Sequence, residues 1–380
     1  MTKKILKYVI LLLVLCNMPG FVLLYFGPVF GSAASYLTTI LLIIYFFISK
    51  PWQKPVVPII IFTLLYFLLS SLNYNGDEIY FLKEFLRFFI LIICITQVMY
   101  DSSYRDIFYI LLIGGISVII NGLVFPETNV IYHLVRGRYA GFLLNPNTAG
   151  IVCLLGMALS YSINNKLFKL LGQAIFTFAG ILTLSRTFIA VWVVINLFAI
   201  FKDRKNLLAP IIGTIAVTVM ITFTNSKNFA SDRFDAFTSF FVEGEVKTKT
   251  LNNDTRDKTW ALYYDLIFKK PILGHGYNSF QLQRQNLPGV HNSYLMVIGE
   301  SGILPFILFI GFYLYLLKNS IGHFYKEPYL TYTILVILLN LMVSHTFFTN
   351  YQSLALSIFV FLRIREIKDK KNNLEHIKSN

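Results

Sequence analysis

The sequence predicts an all-α integral membrane protein with about twelve transmembrane helices and one large outer loop. Three observations lead there. Of 380 residues, 56% are hydrophobic and only 14% are charged, with a mean hydropathy of +0.63. A soluble fold of this length cannot hide so much apolar surface. Apolar runs of roughly membrane length recur along the whole chain. The basic residues also divide unequally between alternate loops.

The runs fall at about 5–26, 36–49, 56–72, 85–99, 107–124, 148–163, 168–184, 187–201, 207–223, 298–317, 331–345 and 351–362. Several are short of the usual length of about 20 residues. The first follows a basic start, "MTKKILKYVILLLVLC". No small-residue cleavage site follows promptly, and Leu15 does not suit a lipoprotein box before Cys16, so an uncleaved span is expected. Cys16, Cys94 and Cys153 lie inside apolar runs and read as small packing residues, without disulfide or metal spacing.

With the N-terminus inside and alternation along the chain, the inner segments hold 19 of the 33 Lys and Arg and 7 of the 19 acids. Most of the +14 formal charge is thereby a topology signal, aided by anionic lipid headgroups, and it requires no nucleic-acid partner. Both termini then lie inside, and the whole chain reads as a single polytopic membrane domain. Two outer loops are long, at about 125–147 and 224–297. In the second, "EGEVKTKTLNND" (243–254) is polar. The following "RDKTWALYYDLIFKK" (256–270) reads as an amphipathic helix. Trp260, Tyr263 or Tyr264, and Ile267 form its apolar stripe. Asp254 or Thr255 caps it. Pro271, Gly274 and Gly276 end it.

The residues that can carry chemistry are few. Arg186 stands alone in "LTLSRTFIAVWVV". About fifteen apolar residues on each side give about 22 Å, less than the roughly 30 Å hydrocarbon core. A recessed arginine needs an anionic partner; a snorkelling arginine at a hairpin turn is the alternative. Arg256 opens the amphipathic helix, as a solvated loop residue or as an anion ligand. Arg136 and Arg138, in "LVRGRYAGFLLNPNTAG", precede a turn where Asn145 or Asn147 caps the sixth span. They read either as surface arginines or as ligands. Guanidinium forks suit phosphate and pyrophosphate oxygens.

His291 precedes Asn292-Ser293, a good N-cap pair, and can serve as a general base near neutral pH. Glu300 lies near the outer interface. The stretch from His291 to Glu300 spans about 13 Å if helical, too far for the carboxylate to orient the imidazole. His275, between two glycines, decorates a turn, and His345 sits at a span end. The chain has no Walker loop, no GxSxG elbow and no paired metal-ligand motif, and "NDTRD" offers only two acids flanking Arg256.

Four stretches in order, "RGRYAGFLLNPNTAG" (136–150), "LTLSRT" (182–187), "RDKTWALYYDLIFKKPILGHGYNSF" (256–280) and "HNSYLMVIGESG" (291–302), together resemble the O-antigen polymerase and O-antigen ligase superfamily of bacterial membrane proteins. The motif-bearing part covers about 136 to 318. The resemblance implies a fold of the lipid-dependent glycosyltransferase type in the bacterial plasma (inner) membrane, with the 224–297 loop periplasmic. It implies transfer of a glycan from undecaprenyl pyrophosphate to a sugar hydroxyl on the outer face, without metal, cofactor or nucleotide sugar. Arg186 and Arg256 match the family's pyrophosphate-binding arginines. His291 matches the histidine that activates the acceptor hydroxyl. Arg136, Arg138 and Glu300 are further substrate-binding candidates. The implied partners are the undecaprenyl-pyrophosphate-linked oligosaccharide, membrane lipids and a polysaccharide chain-length regulator. A polymerase of repeat units is the favoured reading. A ligase moving the chain to lipid A core is the alternative. A flippase for the same unit is the competitor from another class, although no internal repeat is visible.

Overall fold

The computed structural model describes residues 2–126, 137–223, 256–282 and 287–379. Its α-helices are α1 Thr2–Leu15, α2 Met18–Phe26, α3 Pro28–Ile48, α4 Val57–Ser71, α5 Glu78–Tyr100, α6 Tyr104–Leu123, α7 Pro146–Ser160, α8 Lys166–Leu182, α9 Arg186–Lys202, α10 Leu208–Phe223, α11 Arg256–Lys269, α12 Ser293–Ser301, α13 Ile303–Gly322, α14 Pro328–Val343 and α15 Tyr351–Ser379. Ten of the twelve predicted apolar runs fall each on one of these helices, while 5–26 is divided between α1 and α2 and 298–317 between α12 and α13.

By length and composition, α3, α6 and α13 can each cross a membrane. The pair α1 and α2, bent by 66°, makes a fourth if taken as one broken span. Helices α4, α7 and α14 are apolar but shorter. The bend follows from Asn17, whose φ of 54° is left-handed, and from a proline in the first turn of α2. Side-chain caps set the starts of several helices, because the first backbone N–H groups of a helix lack intrahelical acceptors. Asp77 accepts from Ile79 N, Asn145 from Asn147 N and Thr148 N, and Asn165 from Phe168 N. Of the two asparagines offered for the sixth span, Asn145 is the cap.

The chain divides into two compact units. One comprises 1–10, 36–103 and 256–380; the other comprises 11–35 and 104–255. In the first, α4, α12, α13 and α14 pack together, α11 rests on α12, and α5 packs against α15. Aromatic rings fill this core. Phe348 stacks on Tyr66 at 4.1 Å and touches Phe67, Phe62 and Phe88. Segments assigned to the inner face by charge meet at one place. Asp101 pairs with Lys3 at 2.9 Å and accepts from Tyr45 Oη at 2.8 Å, while Lys7 Nζ donates to the Asp101 carbonyl. Arg363 Nη2 donates to the carbonyls of Tyr100 (2.9 Å) and Ser102.

In the second unit α6, α7 and α8 form the centre and α10 lies on α8. Phe176 and Phe188 are fully buried there, and a side chain at Gly156 or Gly180 would overlap their rings. The three cysteines are free and buried.

Candidate functional site

The first unit holds His291, Arg256 and Glu300. Helix α11 buries Tyr263 and Ile267, and Tyr264 of the predicted stripe turns outward. The Tyr263 ring packs 4.7 Å from Phe280, and its hydroxyl donates to the Pro288 carbonyl. This docks the helix opened by Arg256 onto the segment that leads into His291. The predicted caps Asp254 and Thr255 lie outside the described residues.

From Pro271 onward the chain is a strap stitched to its neighbours by backbone bonds. His275 N donates to Gly299 O at 2.7 Å, Gly276 N to Glu300 O at 3.0 Å, and Tyr277 N to Ser70 O at 3.0 Å. Val290 N donates to Phe280 O at 3.0 Å. His275 thus does more than decorate a turn, because its Nε2 also holds the Leu266 carbonyl at 2.6 Å. Gly274, at φ 67°, comes so near α12 that a Cβ would lie 2.4 Å from the Glu300 carbonyl carbon. Gly302, at φ 83°, would set a Cβ 1.9 Å from Ile272 O. Only glycine meets both demands. The bend at Gly302 separates α12 from α13. The long apolar helix therefore begins at Ile303, where the sequence suggested about 298, and Glu300 lies ahead of it.

Glu300 is fully buried. Its Oε2 accepts from the Tyr66 hydroxyl and from Gln281 Nε2 at 2.9 Å; its Oε1 accepts from Phe280 N at 2.9 Å. Burial pushes its carboxyl up to about 7, against these hydrogen bonds, which pull it down. Both carboxylate oxygens are thus engaged within the fold.

His291 adopts a left-handed φ of 47°. Asn292 caps α12, its Oδ1 accepting from Tyr294 N at 2.9 Å and Leu295 N at 3.1 Å. The His291 backbone N–H donates to His345 Nδ1 at 3.0 Å, and the two rings lie 4.7 Å apart at 59°. Ser293 Oγ donates to Ser344 O at 2.6 Å. His291 keeps an exposed surface, so its desolvation is partial. That desolvation, and then the Arg256 charge, hold its imidazole below the usual range. Arg256 and His291 are thereby within electrostatic reach of each other. His345 is pushed down to about 4 by burial and then by His291. Ser344, Tyr66 and Gln281 are not singled out from the sequence, and His345 is noted there only as lying at a span end. The one signal was the polar "SHT" breaking an apolar run.

The second unit holds Arg138 and Arg186. Arg138 is only 4% exposed, which corrects the surface-arginine alternative. Its Nε donates to Thr183 O at 2.9 Å and its Nη2 to Asn147 Oδ1 at 3.0 Å. Ser185 Oγ reaches the same Asn147 oxygen at 3.2 Å and accepts from Phe188 N to cap α9. Tyr139 N donates to Leu182 O at 3.2 Å. Two of the sequence motifs are thus joined, and the turn they build carries half-buried Arg186 as the first residue of α9. Arg136 lies outside the described residues.

Among the described residues, no group of three or more His, Cys, Asp or Glu side chains converges as a metal site would need. A family model described as O-antigen ligase matches residues 171–310, a stretch that takes in Arg186, Arg256, His291 and Glu300. No curated protein and no solved structure matches the chain. Members of the matched family are glycosyltransferase-like enzymes of the ligase and polymerase type. Together with the apolar helices, that match marks a membrane protein. Over residues 171–310 the chain is thus similar to the O-antigen ligase family, and this similarity supports the resemblance to the O-antigen ligase and polymerase superfamily.

Proposed function

We propose that this protein polymerises lipid-linked polysaccharide repeat units at the outer face of the bacterial plasma membrane. The supporting observation is the setting of His291. It sits in a left-handed bend at the mouth of α12, and its imidazole is held below the usual range by desolvation and then by the Arg256 charge. A neutral imidazole can accept a proton, which is what a general base requires.

In this reading His291 takes the proton of an acceptor sugar hydroxyl. The hydroxyl oxygen forms a bond to the anomeric carbon of the donor. The bond from that carbon to the pyrophosphate oxygen breaks, and undecaprenyl pyrophosphate leaves with the electron pair. Attack from the face opposite the leaving group inverts the anomeric centre. Arg256 stabilises the charge that grows on the leaving group. Arg186 takes the same class of ligand on the strength of the resemblance. Arg138 and Glu300, whose polar atoms are engaged within the fold, act as braces. Both termini lie on the cytoplasmic side, and the segment carrying Arg256 and His291 on the other.

The matched model's description favours a second reading, a ligase that moves the finished chain to lipid A core. The donor chemistry is the same, and the acceptor differs. A deletion strain of a Gram-negative host separates the two on a glycan gel. Loss of a polymerase leaves core plus a single repeat, whereas loss of a ligase leaves bare core. Full-length glycan made by His291→Ala at normal protein level would sink both readings.

A further inference from the structure

We infer that His345 is a positioning residue for His291, holding its backbone in the bend that presents the imidazole. The inference rests on His291 being the base, as proposed above. It starts from the hydrogen bond of His291 N to His345 Nδ1, 3.0 Å long. A backbone N–H can only donate, so Nδ1 must carry a lone pair and the ring proton of neutral His345 resides on Nε2. The tautomer is thus fixed by the main chain.

The bond matters because of what it restrains. His291 has a φ of 47°, a region that a residue with a Cβ enters at a cost. The residue before it is tied through Val290 N to Phe280 O, and the residue two beyond is tied through Ser293 Oγ to Ser344 O. Between these ties, His345 Nδ1 is the acceptor for the bend itself. Without it, His291 relaxes toward the extended region and its Cβ swings away.

The segment that delivers His345 is itself built for the purpose. Ser344 Oγ meets Thr346 Oγ1 at 2.8 Å, and Asn350 Nδ2 donates to Thr346 Oγ1 at 3.1 Å. Buried Phe347 and Phe348 anchor the same segment in the aromatic core. On the facing side is Gly289. A Cβ there would lie 2.8 Å from His345 Cε1 and 3.2 Å from its Nε2, so the ring occupies the space that the glycine leaves open.

The test compares His345→Asn, His345→Gln and His345→Leu in the purified full-length protein. The substrate is the host's own undecaprenyl-pyrophosphate-linked repeat units, extracted from a strain lacking this protein. Asn places Oδ1 where the histidine places Nδ1, and so keeps the acceptor. Expected is near-wild-type kcat for His345→Asn. The Gln and Leu variants should fall about 100-fold in kcat, the scale for a misplacement near 1 Å, with unchanged KM for the donor. Wild-type kcat in His345→Leu overturns the inference. So does equal loss in the Asn and Leu variants, or a loss confined to KM. If His345→Leu does not accumulate, Gly289→Ala gives the same test by displacing the ring. Wild-type kcat there also overturns the inference. His291→Ala is run beside them. Full activity in that variant ends the general-base reading itself. An inactive His291→Ala beside normal His345 variants ends only this one.

Discussion

Replacing Tyr66 with Phe removes one hydroxyl and tests what Glu300 does. The ring should stay where it is, stacked 4.1 Å from Phe348. Glu300 Oε2 then keeps only Gln281 Nε2, while Oε1 keeps Phe280 N. In the folded protein Glu300 titrates near 7, against an ordinary value of 4.5. A folded value above the unfolded one means the native state holds the proton longer. Stability therefore falls as pH rises from about 4.5 through about 7, by about 3 kcal/mol in all. The lost bond is one to a carboxylate at pH 8, costing about 1.5–3 kcal/mol, and one to a neutral acid at pH 5, costing about 1 kcal/mol. Thermal unfolding of the detergent-purified protein should show Tyr66→Phe a few degrees below wild type, with the larger gap at pH 8. Glu300→Gln should flatten the pH slope. Tyr66→Phe unfolding with wild type at both pH values would refute the reasoning.

Three other predictions follow from the same geometry. Arg256→Gln removes the second cause of the lowered His291 value. The imidazole should then titrate closer to its ordinary range, and the acid limb of residual kcat/KM should move to higher pH; an unmoved limb counts against electrostatic contact between the two. Arg138→Leu breaks bonds to Thr183 O and Asn147 Oδ1 and should cost about 2–4 kcal/mol, read as a lower unfolding midpoint and reduced protein level. Asn292→Ala removes a cap that accepts from two backbone N–H groups and should cost about 1 kcal/mol, visible as faster amide exchange at Tyr294 and Leu295.

Much of the helical layout is legible in the sequence because its causes are local. Apolar runs mark the helices, and Asn145 and Asn292 mark two of their starts by the hydrogen bonds their own side chains offer. Periodicity narrowed the stripe of α11 to Tyr263 or Tyr264, and it could go no further. The choice of Tyr263 depends on Phe280 and Pro288. What sequence reasoning missed depends on distant partners. Tyr66 and Glu300 are 234 residues apart, and His291 and His345 are 54 apart. No helical period links such pairs. Arg138 shows the same limit, because its burial depends on the Thr183 carbonyl 45 residues away. The start of the span near 298 was misplaced because Gly302 reads as one more small residue in an apolar run. Its positive φ comes from the close approach of Ile272.

The two ends of α12 are held by different means, and this separates support from chemistry. At its C-terminal end Glu300 draws donors from α4 and from the strap, with Tyr66 and Phe280 buried and Gln281 half-buried. At its N-terminal end Asn292 caps the helix, and the segment after α14 ties down Ser293 and the backbone of His291. The first set satisfies a buried carboxyl, so its loss is felt in stability. The second set fixes a bend that exposes one imidazole, so its loss is felt in geometry. A helix of nine residues is too short to hold itself in solution. It keeps its place only because both ends are bound, and His291 inherits its position from that double anchorage rather than from the helix alone.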